Sequence, residues 1–158
     1  MKTFILVATI IAVMGIPAFT QGPPGSVPAK VGRASFTFDN TPVSYAMVNG
    51  MFMQSAGFSV ITLNFSKDGK PASDHLGISL MIQKSGPVDL NQGMGNGIGH
   101  WKGGTIASYV KGKSKCTLNV TKLTPTSVEG SAECPVLNEN SGAALHSLTA
   151  VSFSASTQ

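Results

Sequence analysis

An all-β fold is the class this sequence predicts: an antiparallel β-sandwich, with a closed barrel as the alternative, behind a secretory signal peptide. Three observations carry that prediction. Charged residues are only 11% of the 158-residue chain, against about 25% in average soluble proteins, and polarity comes instead from 18 Ser and 13 Thr. Gly 18 and Pro 9 supply frequent turn punctuation. Beyond the N-terminus no segment holds a 3.6-residue apolar period over three turns, while short alternating runs recur between turn signals.

The N-terminus reads as an export signal. Met1-Lys2 gives a positive start, residues 4–16 are apolar and uncharged, and Pro17-Ala18 break the run before a polar stretch. Charge, short apolar helix and small residues at a cut are the layout of a signal peptide, here 1–20, with Gln21 as the new terminus. The apolar run is shorter than the ~20 residues a spanning helix needs, and nothing later is long and apolar enough to span as a helix. The mature chain keeps 10 Lys+Arg against 7 Asp+Glu, a net +3. That is well short of a nucleic-acid footprint. The two cysteines, Cys116 and Cys134, both fall in the mature part. Two cysteines in an exported domain usually pair, which suits a secreted or periplasmic location.

Residues 21–33 (QGPPGSVPAKVG and Arg33) read as an extended leader, and 34–158 as the β domain. Strands are predicted over 34–38, 43–48 and 51–54, with a turn at 40–42 and a hairpin at Asn49-Gly50. The run 58–65 (FSVITLNF) puts Ile61, Leu63 and Phe65 on one face. The run 76–83 does the same with Leu76, Ile78, Leu80 and Ile82. Shorter strands follow at 105–110 and 148–153.

The cysteine hairpin is the best-determined piece. Segments 116–122 and 127–134 flank Leu123-Thr124-Pro125-Thr126. With Pro125 central, Cys116 faces Cys134, Leu118 faces Ala132 and Val120 faces Gly130. On the other side Thr117 faces Glu133, Asn119 faces Ser131 and Thr121 faces Glu129. One face is apolar and the other polar, and a one-residue slip would destroy the match. Directly opposed cysteines stand close to disulfide geometry. The stretch GGTIASYVKGKSKCTLNVTKLTPTSVEGSAECPVL, followed by VSFSAS, resembles small secreted bacterial β-sandwich proteins of unknown function. The resemblance covers the last third and implies export and a sandwich; it carries no activity and no site residues.

Candidate chemistry is sparse. Asp74, His75 and His100 are the first cluster to weigh: with convergent loops they would form a small metal site or an acid/base pair, although their spacing matches no ligand motif. Residues 91–104 are the second. Their alternating glycines satisfy no phosphate-binding pattern, but such a loop on a rigid β scaffold suits binding. Trp101, the only tryptophan, could stack there on a sugar ring beside His100, Lys102 and Tyr109. Lys102, Lys111, Lys113 and Lys115 form a basic patch open to a polyanion, an acidic partner or an edge-protecting role. Ser108-Tyr109-Val110-Lys111 matches S-x-x-K, but its companion elements are absent, which argues against a serine hydrolase. No cofactor motif is present. The reading is a non-enzymatic binding protein of the envelope or exterior, its partner an envelope protein or a glycan. A metal-dependent or acid/base enzyme on Asp74, His75 and His100 is the first alternative. A structural partner of another envelope protein is the second.

Overall fold

Alternation of apolar and polar side chains produces sheet, with no helix among the described residues. The computed structural model describes residues 25–70, 74–91, 95–140 and 142–158. The expected signal peptide and the start of the leader lie outside the described residues. In chain order the strands are β1 (Ser26–Pro28), β2 (Val31–Phe38), β3 (Thr41–Ser55), β4 (Phe58–Ser66) and β5 (His75–Ile82). They continue as β6 (Gly86–Val88), β7 (Gly97–Lys102), β8 (Thr105–Ser108), β9 (Lys115–Thr124), β10 (Ser127–Glu139) and β11 (Leu145–Ser156). Among the described residues no helix is long and apolar enough to cross a membrane.

Pairing runs β11-β2-β3-β4-β5-β7-β8-β10, and β10 pairs again with β11. The sheet therefore closes into an eight-stranded antiparallel barrel, the second of the two architectures the sequence allows. The closing element is β10. Its first part pairs with β9, and its end pairs with β8 through Asn138↔Ser108 and Glu139↔Ala107. β9 and β6 extend the sheet beside the barrel, and β1 joins the far half of β3. The described part of the leader is thus sheet: Ser26–Pro28 pairs with β3, and Val31 to Arg33 open β2.

The inward faces are filled by Phe36 and Phe38 of β2, Ile61, Leu63 and Phe65 of β4, and Leu76, Ile78, Leu80 and Ile82 of β5. All seven β4 and β5 residues are those the alternation selects. β3 departs from expectation. It runs unbroken through Asn49-Gly50, and a bulge between Met47 and Asn49 switches its buried residue from Tyr45 to Phe52. One extra residue in an antiparallel pair shifts the facing parity without a turn. The chain reverses instead at Ala56-Gly57, where both φ angles are positive (48° and 84°). The same two-residue geometry recurs at Asp39-Asn40, in place of the expected turn at 40–42, and at Gly103-Gly104. Two positive φ angles give the type I′ turn, whose twist matches the strands it joins.

The cysteine hairpin holds its register from Thr117↔Glu133 to Val120↔Gly130. Cys116 and Cys134 lie at disulfide distance with Cα atoms 4.1 Å apart. Nearer the turn a bulge shifts the pairing, so Glu129 opposes Lys122 rather than Thr121, and the turn narrows to Pro125-Thr126. A 3.1 Å ion pair between Lys122 and Glu129 follows from that shift.

Candidate functional site

The glycine-rich segment expected as a loop is half strand. β7 carries Ile98 and His100 inward and Gly97, Gly99 and Trp101 outward, before the Gly103-Gly104 turn; residues 92–94 lie outside the described set. Glycine on the outward side hides the alternation without breaking it. Across the sheet the row Asn64–Gly77–Gly99–Ser108 runs over β4, β5, β7 and β8. Two adjacent strands therefore meet with no side chain between them. The result is a shallow groove of about 280 Å³, floored by Gly77, Gly97 and Gly99 and rimmed by Thr62, Asn64, Ser79, Ser108, Trp101 and Tyr109. Strand spacing makes it about 14 Å from Asn64 to Ser108.

Trp101 is half-buried and held in place. Its ring stacks on the cross-strand His75 with centroids 4.5 Å apart and planes 8° apart. Its six-membered edge lies over Gly77, where a Cβ would sit 2.9 Å from Cζ3. Glycine at 77 is therefore what admits the indole. Asp74 steadies the neighbouring turn, its Oδ1 accepting from Gly103 N at 3.1 Å. At the other end Tyr109 N donates to Ile98 O at 3.0 Å, and Tyr109 Oη donates to Asn91 Oδ1 at 2.6 Å. The polar rim is also ordered. Asn64 Nδ2 donates to Asn49 Oδ1 at 2.7 Å, and Ser108 Oγ donates to Asn140 Oδ1 at 2.6 Å.

The sequence-derived candidates divide sharply. Trp101 and Tyr109 come together on the groove, and His75 backs the indole. His100 does not join them. It is 1% exposed and points into the barrel, where Tyr45 Oη and His100 Nε2 share a 3.0 Å hydrogen bond. Phe38 and Phe36 pack against its ring at 4.2 and 5.4 Å. Adjacent pairing explains the split: His75 is opposite Trp101, while His100 is opposite the buried Leu76. His75 and His100 thus occupy opposite faces of the sheet, so the structure does not assemble Asp74, His75 and His100 around one ligand. Among the described residues no group of three or more His, Cys, Asp or Glu could hold a metal ion. Lys102 also leaves the patch expected with Lys111, Lys113 and Lys115. Its Nζ sits 5.8 Å over the Phe38 ring, at the opposite end of the β7–β8 hairpin from Tyr109.

Burial sets the electrostatics of the interior. Desolvation pushes His100 down to about 4, against a partly offsetting pull from Asp74. His100 Nδ1 has no partner among the described residues. Desolvation likewise raises the Tyr45 hydroxyl to about 12, with Asp74 and Asp68 adding to the rise. The dyad is therefore neutral over the ordinary pH range. Sequence reasoning missed Tyr45. Its signal was Tyr at an inward position of a strand, since a buried phenol needs a polar partner.

No family model, curated protein or solved structure matches this chain. The choice of site therefore rests on the chain's own surface. A wider concavity of about 530 Å³ crosses β2, β3 and β11 and offers Arg33, Ser35, Ser44 and Ser152. Its two aromatics, Tyr45 and Phe153, are only 4% and 2% exposed, so it presents no ring to a ligand. The glycine-floored groove alone of these two combines aromatic walls with amide and hydroxyl rims.

Proposed function

We propose that this protein is an exported, non-enzymatic module that binds a short oligosaccharide in the groove beneath Trp101 and Tyr109. The observation that carries the reading is the outward row of glycines between those two rings. A sugar ring has an apolar C–H face and a hydroxyl edge. It needs a flat aromatic surface beside amide and hydroxyl groups, with room to lie close to the backbone. Trp101, seated over Gly77, supplies the surface, Asn64, Ser79 and Ser108 supply the polar groups, and Gly97 and Gly99 supply the close approach. None of the side chains lining the groove is charged. Its volume sits just under the roughly 300–1,000 Å³ of enclosed small-ligand pockets, which favours an extended ligand laid along the surface.

Export is supported by the charge, apolar run and small residues at 1–20. The Cys116–Cys134 pair is compatible with an oxidising compartment. N-terminal sequencing of the native protein is expected to begin at Gln21; an intact Met1 would defeat this part.

Trp101 is the only tryptophan, so its emission reports the groove directly. Titration with a panel of neutral oligosaccharides is expected to give saturable changes for at least one member. Tyr109→Ala should weaken that response about tenfold, equivalent to a lost ring contact of about 1.4 kcal/mol. No saturable change across the panel, or a response indifferent to Tyr109→Ala, overturns the reading.

A further inference from the structure

Tyr109 has a second face. Besides walling the neutral groove, it borders an adjoining concavity of about 590 Å³ that contains Asn91, Lys113, Lys115 and Glu133. From these shared walls we infer that the ligand is an acidic glycan. Its neutral rings lie on the glycine floor, and a carboxylate or sulfate substituent reaches past Tyr109 to Lys113 and Lys115. This rests on the glycan reading above and deepens it.

The lysine turn is built rather than loose. Val110 N donates to Ser114 Oγ at 2.9 Å, Ser114 N donates to Val110 O at 2.9 Å, and Ser114 Oγ donates to Asn138 Oδ1 at 2.9 Å. Gly112 takes φ +77°, which lets the turn close. Tyr109 and Lys111 share one anchor: Tyr109 Oη donates to Asn91 Oδ1, and Lys111 Nζ donates to Asn91 O at 3.2 Å. The neutral wall and the basic turn are thereby fixed to each other. Lys113 and Lys115 are exposed, and neither takes part in an ion pair among the described residues. The one carboxylate on this concavity, Glu133, is engaged, its Oε1 accepting from Ala150 N at 2.8 Å. Two lysines, Lys113 and Lys115, against one carboxylate leave the concavity beyond Tyr109 net positive, while the groove before it is uncharged. A ligand complementary to both halves carries its charge at one end only.

The experiment compares a neutral oligosaccharide with uronic-acid and sulfated oligosaccharides of equal length, read by Trp101 emission and by calorimetry. At low salt the acidic forms are expected to bind about tenfold tighter than the neutral one, and the advantage should shrink at 0.5 M salt. The uronic-acid and sulfated arms distinguish the two sources of charge. In Lys113→Ala/Lys115→Ala the advantage should vanish while neutral binding stays at the wild-type value. An acidic-to-neutral ratio unchanged in that variant overturns the inference and leaves the glycan reading standing. Lysine-dependent binding of polyglutamate as tight as that of the acidic glycan, without a change in Trp101 emission, also overturns it. Absence of any Trp101 response to all the sugars removes the glycan reading itself.

Discussion

Two hairpins lie side by side on β10 and solve the same geometric problem in opposite ways. β9–β10 fills both of its faces. Leu118, Val120, Ala132 and Cys134 go inward, Thr117, Asn119, Ser131 and Glu133 go outward, and a cysteine pair ties the far end. β7–β8 fills its inward face with Ile98, His100 and Ala107, and leaves its outward face bare at Gly97 and Gly99, beside Trp101, Ile106 and Ser108. The first hairpin gains cross-strand side-chain pairs, which stabilise a sheet. The second forgoes them at Gly97 and Gly99 and gains a concavity with Trp101 laid beside it. The difference teaches that an alternating strand becomes a binding floor when one of its two faces is emptied.

The largest effect should come from unlinking the first hairpin. The cysteines are 18 positions apart, and the chain-entropy model gives about 3 kcal/mol for closing a loop of that size. Cys116→Ala/Cys134→Ala is expected to lose about that much in urea unfolding while native Trp101 emission and sugar binding stay unchanged. A loss in sugar binding at concentrations where the variant is still folded would show that the two hairpins are coupled.

Acid should strike the inward face of the second hairpin. The ordinary value for His100 is 6.5, and burial holds it at about 4 in the folded chain. Between those values the unfolded chain binds the extra proton, so stability rises with pH through that window. It is fully present above about pH 6.5 and is lost as pH falls toward 4. By pH 4.5 the loss from this group should be about 2 kcal/mol, measured as a fall in the urea midpoint. For Asp39, burial favours the neutral form, but the His146 hydrogen bond, the Ser147 N–H and the charges of His146 and Lys102 outweigh it and lower its value from 3.8. Its contribution is therefore lost at still lower pH. In Tyr45→Phe/His100→Phe both polar partners go together, which leaves no buried group unpaired. That variant should flatten the profile between pH 6.5 and 4.5; an unflattened profile would place the acid-sensitive group elsewhere.

The same contrast explains what the sequence made legible. In β4, β5 and the cysteine hairpin nearly every inward position is apolar, Ser59 at the start of β4 excepted, and most outward ones are polar, so period and register follow from residue type. In β7 the outward residues are glycines, and Gly-x-Gly-x-Trp reads locally as a loop. The inward pair Ile98 and His100 was the remaining signal, and a histidine in it suggested the surface. Asn49-Gly50 misled for a related reason. Gly50 is needed for close packing rather than reversal: a Cβ there would sit 3.0 Å from Ala29 Cβ and 3.1 Å from Leu63 Cδ2, and Gly50 O accepts from Ala29 N. Barrel closure was legible only as the alternative to a sandwich, because it depends on β10 pairing with β8 and on β11 pairing with β2, contacts far apart in sequence.

The smallest effect tests the emptied face itself. Gly77→Ala adds one methyl, 2.9 Å from Trp101 Cζ3 and 3.2 Å from Cη2, so the indole must lift from the floor. Gly97→Ala adds the same methyl at the other end of the floor, where its nearest neighbour is the Ser79 hydroxyl at 3.3 Å, which can rotate away. Alanine and glycine differ by at most about 1 kcal/mol in a strand, so both variants should unfold close to the wild type. Gly77→Ala should nonetheless red-shift Trp101 emission and weaken oligosaccharide binding several-fold, while Gly97→Ala leaves the emission as it is. Equal emission in the two variants would mean that the indole is seated by His75 alone and that the glycine row is not what shapes the groove.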